Sequence, residues 1–334
     1  MSAIRNAHGA LVKTYSIKPP RQLDVNETFG NFLLDFRHKG GKCMAWSGGG
    51  EPTKHPQFVK AMEYASKAEL KQGLLTNGDY APSLNEHIGK HMEWVRFSVD
   101  THRADAYQEQ RRTTPSSFER VCKNIEQLTH YRTVRVGLNA NLSYWNLEDV
   151  EGLYQLARDT NASYLQVRPV LPRPMVVHDG DRVLSKSAIN RLYLRLVKLR
   201  EQTRNESPEL IVSYDKFEDL KLWDRNNDDP HTDITTYGGC SSHSLFIALN
   251  CDGALSVCMY HLFDDDFVFG NIYSQTYEEI WQGEDRQKVV NRCRFLEHGK
   301  VGCQVCCKGH EINKILLGTE SPQRKGQPSP DGFL

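Results

Sequence analysis

Short apolar segments alternate with segments of helical pattern from residue 24 to about residue 203, and this alternation constrains the fold more than any other feature of the chain. Repeated strand–helix units are typical of a parallel sheet whose strands are joined by crossover helices. The predicted strands are at residues 43–47, 73–76, 94–100, 134–141, 164–170 and 210–214. The predicted helices are at residues 24–38, 56–70, 82–91, 116–129, 146–159 and 185–199. A closed barrel needs about eight such units, so the sequence predicts an α/β fold with an open, partial (β/α) barrel.

The helix starts and the domain boundaries can also be predicted from residue types. The predicted N-terminal caps are Asp24 or Asn26, Ser116 or Ser117, Asn146, and Ser185 or Ser187. The composition becomes polar and acidic near residue 224 and rich in cysteine from residue 240. We expect a barrel domain over residues 1–223, a linker over 224–239, a small Cys-rich α+β domain over 240–316 and a disordered tail over 317–334.

The charge balance argues against highly charged partners. Lys and Arg total 42, Asp and Glu total 42, and the net charge is zero, so nothing indicates a nucleic acid or an anionic membrane as partner. No apolar run approaches the ~18 residues that a membrane helix needs, and the N-terminal residues lack the apolar core of a secretory signal. We therefore expect a cytoplasmic protein.

A glycine-rich loop follows the predicted strand at residues 43–47. Gly48, Gly49 and Gly50 precede Glu51 and Pro52. Glycine lets the backbone turn sharply and approach a ligand closely, and Pro52 helps to end the strand. Free backbone groups beside a carboxylate suit a small zwitterion such as an amino acid, although an ordinary glycine-rich turn has the same composition.

Polar residues recur at the ends of the predicted strands. Because ligands of parallel (β/α) sheets bind where the strands end, polar residues at five consecutive ends predict one pocket. Taken singly, each has a structural explanation, such as a turn former, a helix cap or a surface charge. Beyond the glycine loop, these residues are Thr76, Asn77, Ser98, Asp100, Asn139, Asn141, Gln166 and Arg168.

The third chemical feature is a cluster of cysteines, because seven of the nine lie after residue 239. In a reducing compartment, clustered cysteines indicate metal binding rather than disulfides. A hairpin is predicted from strands at 244–248 and 255–258 and a turn at Asp252 and Gly253. It brings Cys240 and Cys258 towards a later Cys-x2-Cys, and the expected ligands are Cys240, Cys258, Cys303 and Cys306. Zinc and an iron–sulfur cluster both fit four thiolates, and spacing leaves Cys306 and Cys307 as alternatives.

The glycine loop, Ser47–Pro52, resembles the Gly-Gly-Glu-Pro motif of radical S-adenosylmethionine (radical SAM) enzymes, and Ser98-x-Asp100 is similar to a fourth-strand pattern of that family. The resemblance implies that the motif holds the amino group of the cofactor's methionine part, and that later strand ends meet its ribose or carboxylate. The implied cofactor-binding residues are Gly48, Gly49, Gly50, Glu51, Asn77, Ser98, Asp100, Asn141 and Arg168.

The C-terminal cysteine pattern resembles the SPASM/twitch extension of radical SAM enzymes. Cys240-x12-Gly253-x4-Cys258 is followed by Gly270-Asn271-Ile272 and by the Glu279-Ile280-Trp281 segment. The resemblance implies an auxiliary [4Fe–4S] cluster, with zinc as the alternative metal. A single late Cys-x2-Cys suits the shorter twitch form with one cluster.

The Cys-x3-Cys-x2-Cys motif that defines radical SAM enzymes is missing, because the only cysteine before Gly48 is Cys43. Either the chain as given begins after that motif, which we favour, or residues 10–17 are the first strand and Lys18–Arg21 replaces the cysteine loop in a protein that lost the chemistry. The motif would supply the radical SAM [4Fe–4S] cluster, so this exact chain is expected to be inactive without upstream sequence.

The resemblance implies a radical SAM/SPASM-type oxidoreductase or maturase that abstracts a hydrogen atom from a peptide or small molecule. Its expected partner is a reducing electron donor such as a flavodoxin or ferredoxin. The alternative is a degenerate, non-catalytic binding module that keeps the fold and one four-cysteine metal site.

Overall fold

The computed structural model of the chain describes residues 4–5, 11–12, 22–48, 50–170, 184–213, 217, 239–262, 264–294, 312–313 and 316. The chain divides into two compact units. One contains a six-stranded sheet, and the other contains a three-stranded sheet and the residues before Phe36. The predicted tail at 317–334, and all of the predicted linker except Gly239, lie outside the described residues.

The six-stranded sheet is entirely parallel, and its strand order follows the chain. Its strands are β3 (Cys43–Trp46), β4 (Lys71–Thr76), β5 (Trp94–Ser98), β6 (Arg135–Leu142), β7 (Tyr164–Pro169) and β8 (Glu209–Val212). Each predicted strand is present within a few residues of its expected bounds. Among the described residues β3 and β8 remain the sheet edges, so the α/β, open-barrel prediction is confirmed.

Helix α1 (Glu27–His38) precedes β3, and its residues before Phe36 belong to the other unit. Helices connect consecutive strands of the sheet, as the alternation predicted. They are α2 (Phe58–Lys67), α3 (Leu84–His91), α4 (Ala104–Arg111), α5 (Pro115–Thr129), α6 (Val150–Asp159) and α7 (Lys186–Gln202). Only α4 was not predicted, because Tyr107 is its one buried side chain and no apolar periodicity marks it.

Of the four predicted caps, two make a capping bond, Asn146 occupies the cap position of the 3-10 helix before α6 without making one, and the prediction for α5 is wrong. Asn26 Oδ1 accepts a hydrogen bond from Phe29 N (3.1 Å), and Ser185 Oγ accepts one from Ala188 N (3.4 Å). Helix α5 instead begins at Pro115 after Thr114, since proline suits the first helical position. Asn146 makes no capping bond, because its side chain bonds to groups at the ends of β5 and β6, described below.

One face of the six-stranded sheet is apolar and forms the core of its unit. Alternate residues of each strand point to opposite faces, and those on the face covered by helices are fully or almost fully buried. They include Leu74, Val95, Phe97, Val136, Leu138, Ala140, Leu165, Val167, Leu210 and Val212. Packing of α2, α5 and α6 on their neighbouring strands covers this face.

The opposite face, which we call the polar face, carries a different set of residues. It consists of Trp94, Arg96 and Ser98 of β5, Arg135, Gly137, Asn139 and Asn141 of β6, and Tyr164, Gln166 and Arg168 of β7. A strand inside a parallel sheet is usually apolar on both sides. Polar residues at alternate positions of three neighbouring strands therefore indicate a surface kept for a ligand.

The amino-terminal end of the polar face is filled by aromatic rings. A Cβ atom at Gly73 would lie 1.9 Å from the Trp94 ring, and one at Gly137 would lie 2.0 Å from the Tyr164 ring, so only glycine fits beneath them. Arg96 lies over Trp94 and Arg135 over Tyr164, at 5.6 and 5.1 Å from the ring centroids. This aromatic layer leaves only the carboxyl-terminal half of the polar face for a ligand.

In its described residues, the smaller unit contains two short β structures, most of α1 and two later helices. Strands β1 (Ile4–Arg5) and β2 (Leu11–Val12) form an antiparallel pair. Strands β9 (Ala248–Leu249), β10 (Ala254–Ser256) and β11 (Val268–Asn271) form an antiparallel sheet in the order β11-β10-β9. They are followed by α8 (Tyr277–Gln282), which begins with a capping box at Thr276 and Glu279, and by α9 (Glu284–Arg294).

The predicted hairpin is present with shorter strands than expected. Gly253 has φ +83° at its turn, as predicted. The expected strand at 244–248 is wrong in extent, because Ser242–Ser244 form a 3-10 helix and the strand is Ala248–Leu249. The return strand stops at Ser256, whose single hydroxyl proton is shared between His261 O (3.1 Å) and Cys258 O (3.2 Å) and so stabilises a turn.

Within the described ranges, no helix is both long and apolar enough to cross a lipid bilayer.

Candidate functional site

Glu51 connects the glycine loop after β3 to the end of β4. Its Oε1 accepts hydrogen bonds from Thr53 N (3.2 Å), Thr53 Oγ1 (2.9 Å) and Thr76 Oγ1 (2.8 Å). Its Oε2 accepts one bond, from Asn77 N at 2.7 Å. A carboxylate oxygen has two lone pairs, so Oε1 is saturated and Oε2 keeps acceptor capacity for a further donor.

The described glycines of the loop are not required by the packing of the chain. Gly48 and Gly50 are exposed, and neither has a positive φ. A Cβ atom at Gly50 would meet no atom within 4 Å, and one at Gly48 would meet only Gly50, at 3.6 Å or more. The missing side chains therefore leave the backbone uncovered, as a closely approaching ligand needs. Gly49 lies outside the described residues.

The turn after β4 is held by buried carboxamides. Asn77 Oδ1 accepts a hydrogen bond from Asp79 N (2.8 Å), and Gly78 has φ +81°. From α5, Asn124 Nδ2 donates to Gly78 O (2.9 Å) and Tyr80 O (3.0 Å). Asn124 was not predicted. Its helical spacing from Val121 and Leu128 places it on the apolar side of α5, and this spacing could have indicated a buried polar residue.

Tyr80 lies beneath this turn as a neutral hydrogen-bond donor. Its hydroxyl donates to Asn85 Oδ1 at 2.9 Å. Burial, followed by the negative charge of Glu51, raises the pKa of Tyr80 far above its ordinary value. The hydroxyl therefore stays protonated at any working pH and keeps the turn in place beside Glu51.

Asp100 connects the end of β5 to β6. Its Oδ1 accepts from Asn141 N (2.8 Å), and its Oδ2 accepts from Arg111 Nη2 (3.1 Å) and Gln110 Nε2 (3.4 Å). Asp100 is only 7% exposed. Its carboxylate therefore orders the sheet edge and has one acceptor site left, on Oδ1. The hydroxyl of Ser98, by contrast, makes no hydrogen bond to any described residue.

Asn141 and Arg168 are paired in the register of β6 and β7 and contact each other directly. Arg168 Nε donates to Asn141 Oδ1 at 2.8 Å. Asn146 stabilises the same corner, because its Nδ2 donates to Asp100 O (2.7 Å) and Asn141 O (2.9 Å). The residue that was expected to cap a helix is thus a brace for two strand ends.

Helix α4, which was not predicted, contacts residues at the carboxyl ends of both β4 and β5. Tyr107 donates to Asn77 O (3.5 Å), and Arg111 donates to Ser98 O (3.0 Å) as well as to Asp100. Burial raises the pKa of Tyr107, and the nearby Arg111 opposes that rise. Of the sequence-predicted residues, Glu51 and Asn77 are therefore hydrogen-bonded to each other, and Asp100, Asn141 and Arg168 form a second connected group.

The candidate metal ligands lie partly outside the described residues. Cys240 N donates to Cys293 O (2.8 Å), and Cys240 Sγ is 3.0 Å from Ser242 Oγ. Cys258 follows β10 and is half-buried. Cys303, Cys306 and Cys307 lie outside the described residues. No group of three or more His, Cys, Asp or Glu side chains suited to a metal ion occurs among the residues that the structure describes, so the ligand set stays a prediction.

Comparison with known proteins supports the fold of the parallel sheet and the metal-binding prediction for the C-terminal segment. Residues 240–308 match the family model SPASM, described as an iron–sulfur cluster-binding domain. The fold is similar to anSMEcpe with bound AdoMet, at a TM-score of 0.59 and 16% identity, covering 81% of this chain and 75% of that chain. A search of curated proteins found no significant match.

A second group of similar structures comes from Streptococcus suis. SuiB bound to S-adenosylmethionine has a TM-score of 0.60 at 14% identity, covering 94% of this chain and 72% of that chain. SuiB bound to precursor peptide SuiA gives the same score and identity, with 73% of that chain covered.

The parallel sheet thus has the fold of anSMEcpe and SuiB, in agreement with the predicted partial (β/α) barrel. More particularly, the C-terminal cysteine-rich segment matches the SPASM family model.

Proposed function

We propose that this protein binds S-adenosylmethionine at the carboxyl ends of its parallel strands and forms part of a radical SAM/SPASM enzyme that modifies a peptide. The observation that carries the proposal is the free acceptor capacity of Glu51 Oε2, because it lies beside a backbone that no side chain covers. An ammonium group needs such an acceptor, and the SPASM match adds the expected iron–sulfur chemistry.

Several residues of the edge fit parts of this cofactor. Glu51 would accept from its ammonium group, and the backbone at Gly48, Gly49 and Gly50 would line its methionine part. The Ser98 hydroxyl and the remaining Oδ1 site of Asp100 suit ribose hydroxyls, and Asn77, Asn141 and Arg168 would line the same pocket. When bound and reductively cleaved, the cofactor supplies a carbon radical that removes a hydrogen atom from a substrate.

The C-terminal segment would hold an auxiliary cluster through Cys240, Cys258, Cys303 and Cys306, with an external flavodoxin or ferredoxin as electron donor. Support for iron over zinc comes from the family description of residues 240–308. Support for a peptide substrate comes from two similar structures, SuiB with SuiA and anSMEcpe with the Kp18Cys peptide.

A second candidate function is cofactor or peptide binding without cleavage. Cys43, the only cysteine before Gly48, lies within β3, and burial raises the pKa of its thiol. One protonated thiol does not replace the three thiolates of the missing motif. Formation of 5′-deoxyadenosine by this chain after iron–sulfur reconstitution would exclude the second candidate.

The cofactor site can be tested by filling the open space above the loop. A Cβ atom at Gly50 meets no described atom within 4 Å, so we expect Gly50→Leu to fold. We expect calorimetric titration with S-adenosylmethionine to show at least about tenfold weaker binding, because the side chain would occupy the ligand's place.

Ser163→Leu is the matched control. Ser163 is exposed and immediately precedes β7. It therefore lies at the amino-terminal ends of the strands, whereas the glycine loop lies at their carboxyl-terminal ends. This variant should bind as the unaltered protein does. Equal affinity of Gly50→Leu and the unaltered protein, or no binding by either, would rule out the proposed site.

A further inference from the structure

Two carboxamides in the middle of the polar face have buried oxygens without hydrogen-bond partners. Asn139 is 2% exposed, and its Oδ1 has no partner among the described residues. Gln166 is half-buried, and its Oε1 is likewise buried and unpartnered within the described part of the chain. A buried acceptor without a donor is costly and uncommon in folded proteins, so both atoms need an explanation.

These two oxygens are exceptions within their own unit. Its other buried carboxamides all have satisfied oxygens: Gln72 accepts from Trp46 Nε1 (2.8 Å), Asn85 from Tyr80 OH (2.9 Å), Asn124 from Asn85 Nδ2 (2.9 Å) and Asn146 from Ser143 N (2.7 Å). The layers on either side of Asn139 and Gln166 are also bonded internally. Among the described carboxamides of this unit, the unmet acceptors therefore lie in one layer of the polar face, whereas the other unpartnered buried atoms, such as Tyr154 OH and Arg111 Nε, belong to other kinds of side chain.

The positions of the two residues define what can bridge them. Asn139 and Gln166 are aligned partners in the register of β6 and β7, and neighbouring strands are about 4.8 Å apart. Two N–H groups on one trigonal nitrogen reach acceptors separated by about 5 Å when each hydrogen bond is about 2.9 Å long. A single –NH2 group therefore matches the spacing of the strands.

The charges nearby favour a neutral ligand over an ammonium group. Arg96, Arg135 and Arg168 lie on the same face. The carboxylates closest along the strands are already paired, Glu209 with Arg135 (3.0 Å) and Asp100 with Arg111 (3.1 Å). A cation placed in this layer would face arginines with no free carboxylate among the described residues, which is unfavourable in a poorly solvated site.

A neighbouring hydroxyl completes the recognition of an amide. Ser213, just after β8, accepts from Gln166 Nε2 at 3.5 Å, and no described residue accepts the Ser213 hydroxyl proton. That proton is available for a carbonyl oxygen. We propose that Asn139, Gln166 and Ser213 form a subsite that binds a primary carboxamide of the substrate. This inference rests on the proposed peptide-modifying function and narrows its substrate class to carboxamide-bearing peptides.

Stability measurements distinguish a binding role from a structural one. Asn139→Leu removes an acceptor that bonds to nothing, so we expect an unchanged or higher urea midpoint. Asn124→Leu is the matched comparison, because Asn124 is fully buried and donates to Gly78 O and Tyr80 O; its midpoint should fall. A comparable fall in Asn139→Leu would assign Asn139 to the core and overturn the proposal.

The ligand probe is N-acetylglycinamide. Its binding to the chain as given is measured by saturation-transfer NMR, with no S-adenosylmethionine present. The matched probe N-acetylglycine methyl ester lacks the –NH2 group. We expect amide binding, at least about tenfold weaker ester binding, and loss of amide binding in Asn139→Leu and Gln166→Met. Three results would overturn the subsite: equal binding of both probes, no amide binding, or undiminished amide binding by the variants. Ordered water would then be the only occupant of the layer.

The same samples are then titrated with S-adenosylmethionine, so the two proposals can fail separately. Cofactor binding without amide binding would overturn only the subsite. Amide binding without cofactor binding would overturn only the proposed cofactor site.

Discussion

Glu51 orders the glycine loop and, in the proposed site, would also accept a hydrogen bond from a ligand. Its saturated Oε1 holds the loop against Thr76, and its less occupied Oε2 lies next to Asn77. The ligand-binding role was predicted from the sequence, because Glu51 follows three glycines, and it stays a prediction. The structural role depends on the alignment of β3 with β4, which no local pattern reveals.

Glu51→Gln should destabilise the protein. Either orientation of the new carboxamide places an –NH2 group against donors, Asn77 N on one side or Thr76 and Thr53 on the other. We expect the free energy of unfolding to fall by about 1–3 kcal/mol in urea titrations. Glu126→Gln, on the exposed side of α5, is the control. Equal stability of the two variants would contradict this role.

Residues that work across strands were the least predictable from sequence. Asn146 was expected at a helix cap, yet it braces Asp100 and Asn141. Arg111 and Tyr107 were missed because they lie on a mostly exposed helix. In each case the partner is distant in sequence, so the function of the side chain appears only once the strands are paired.

At the scale of elements, the sheet was predictable because apolar strands and amphipathic helices alternate clearly. All six predicted strands are in the parallel sheet. The short strands of the C-terminal sheet were less predictable, because Ser256 and its bonds to His261 and Cys258, rather than apolar patterning, decide where β10 ends.

The aromatic layer allows a test of how strands β4 and β5 fit together. Gly73→Ala would bring a Cβ atom within 1.9 Å of the Trp94 ring, and we expect a loss of about 1–3 kcal/mol in the free energy of unfolding. Adding Trp94→Leu should make the double variant more stable than the sum of the two losses predicts.

Gly50→Ala is the control for this substitution, because a Cβ atom there meets nothing within 4 Å. Its unfolding free energy should remain within about 0.5 kcal/mol of the unaltered protein. Strict additivity of Gly73→Ala and Trp94→Leu would show that the ring does not require the glycine.

At the scale of the whole molecule, the chain combines polar strand ends with a cysteine-rich segment. The SPASM match covers residues 240–308, and the cysteine spacing predicted this segment without any structure. The ligand set was less accessible to sequence reasoning, because spacing does not distinguish Cys306 from Cys307 and leaves Cys293 unassigned.

Metal content should depend on the predicted ligands only. We expect iron in anaerobically purified protein and a large loss of iron in Cys240→Ala and Cys258→Ala, measured by elemental analysis and visible absorbance. Cys122→Ala is the control, because Cys122 lies in α5 and burial raises the pKa of its thiol to about 11, which disfavours the thiolate that a metal needs. Tightly bound zinc without iron would refute the cluster.

The rings of Trp94 and Tyr164 restrict the direction from which a ligand can reach the polar face. They occupy the amino-terminal end of the polar face, over Gly73 and Gly137. A ligand is therefore limited to the carboxyl-terminal half of that face. Under the proposed function, a peptide would therefore reach the polar face from the carboxyl-terminal side of the strands, and not past these rings.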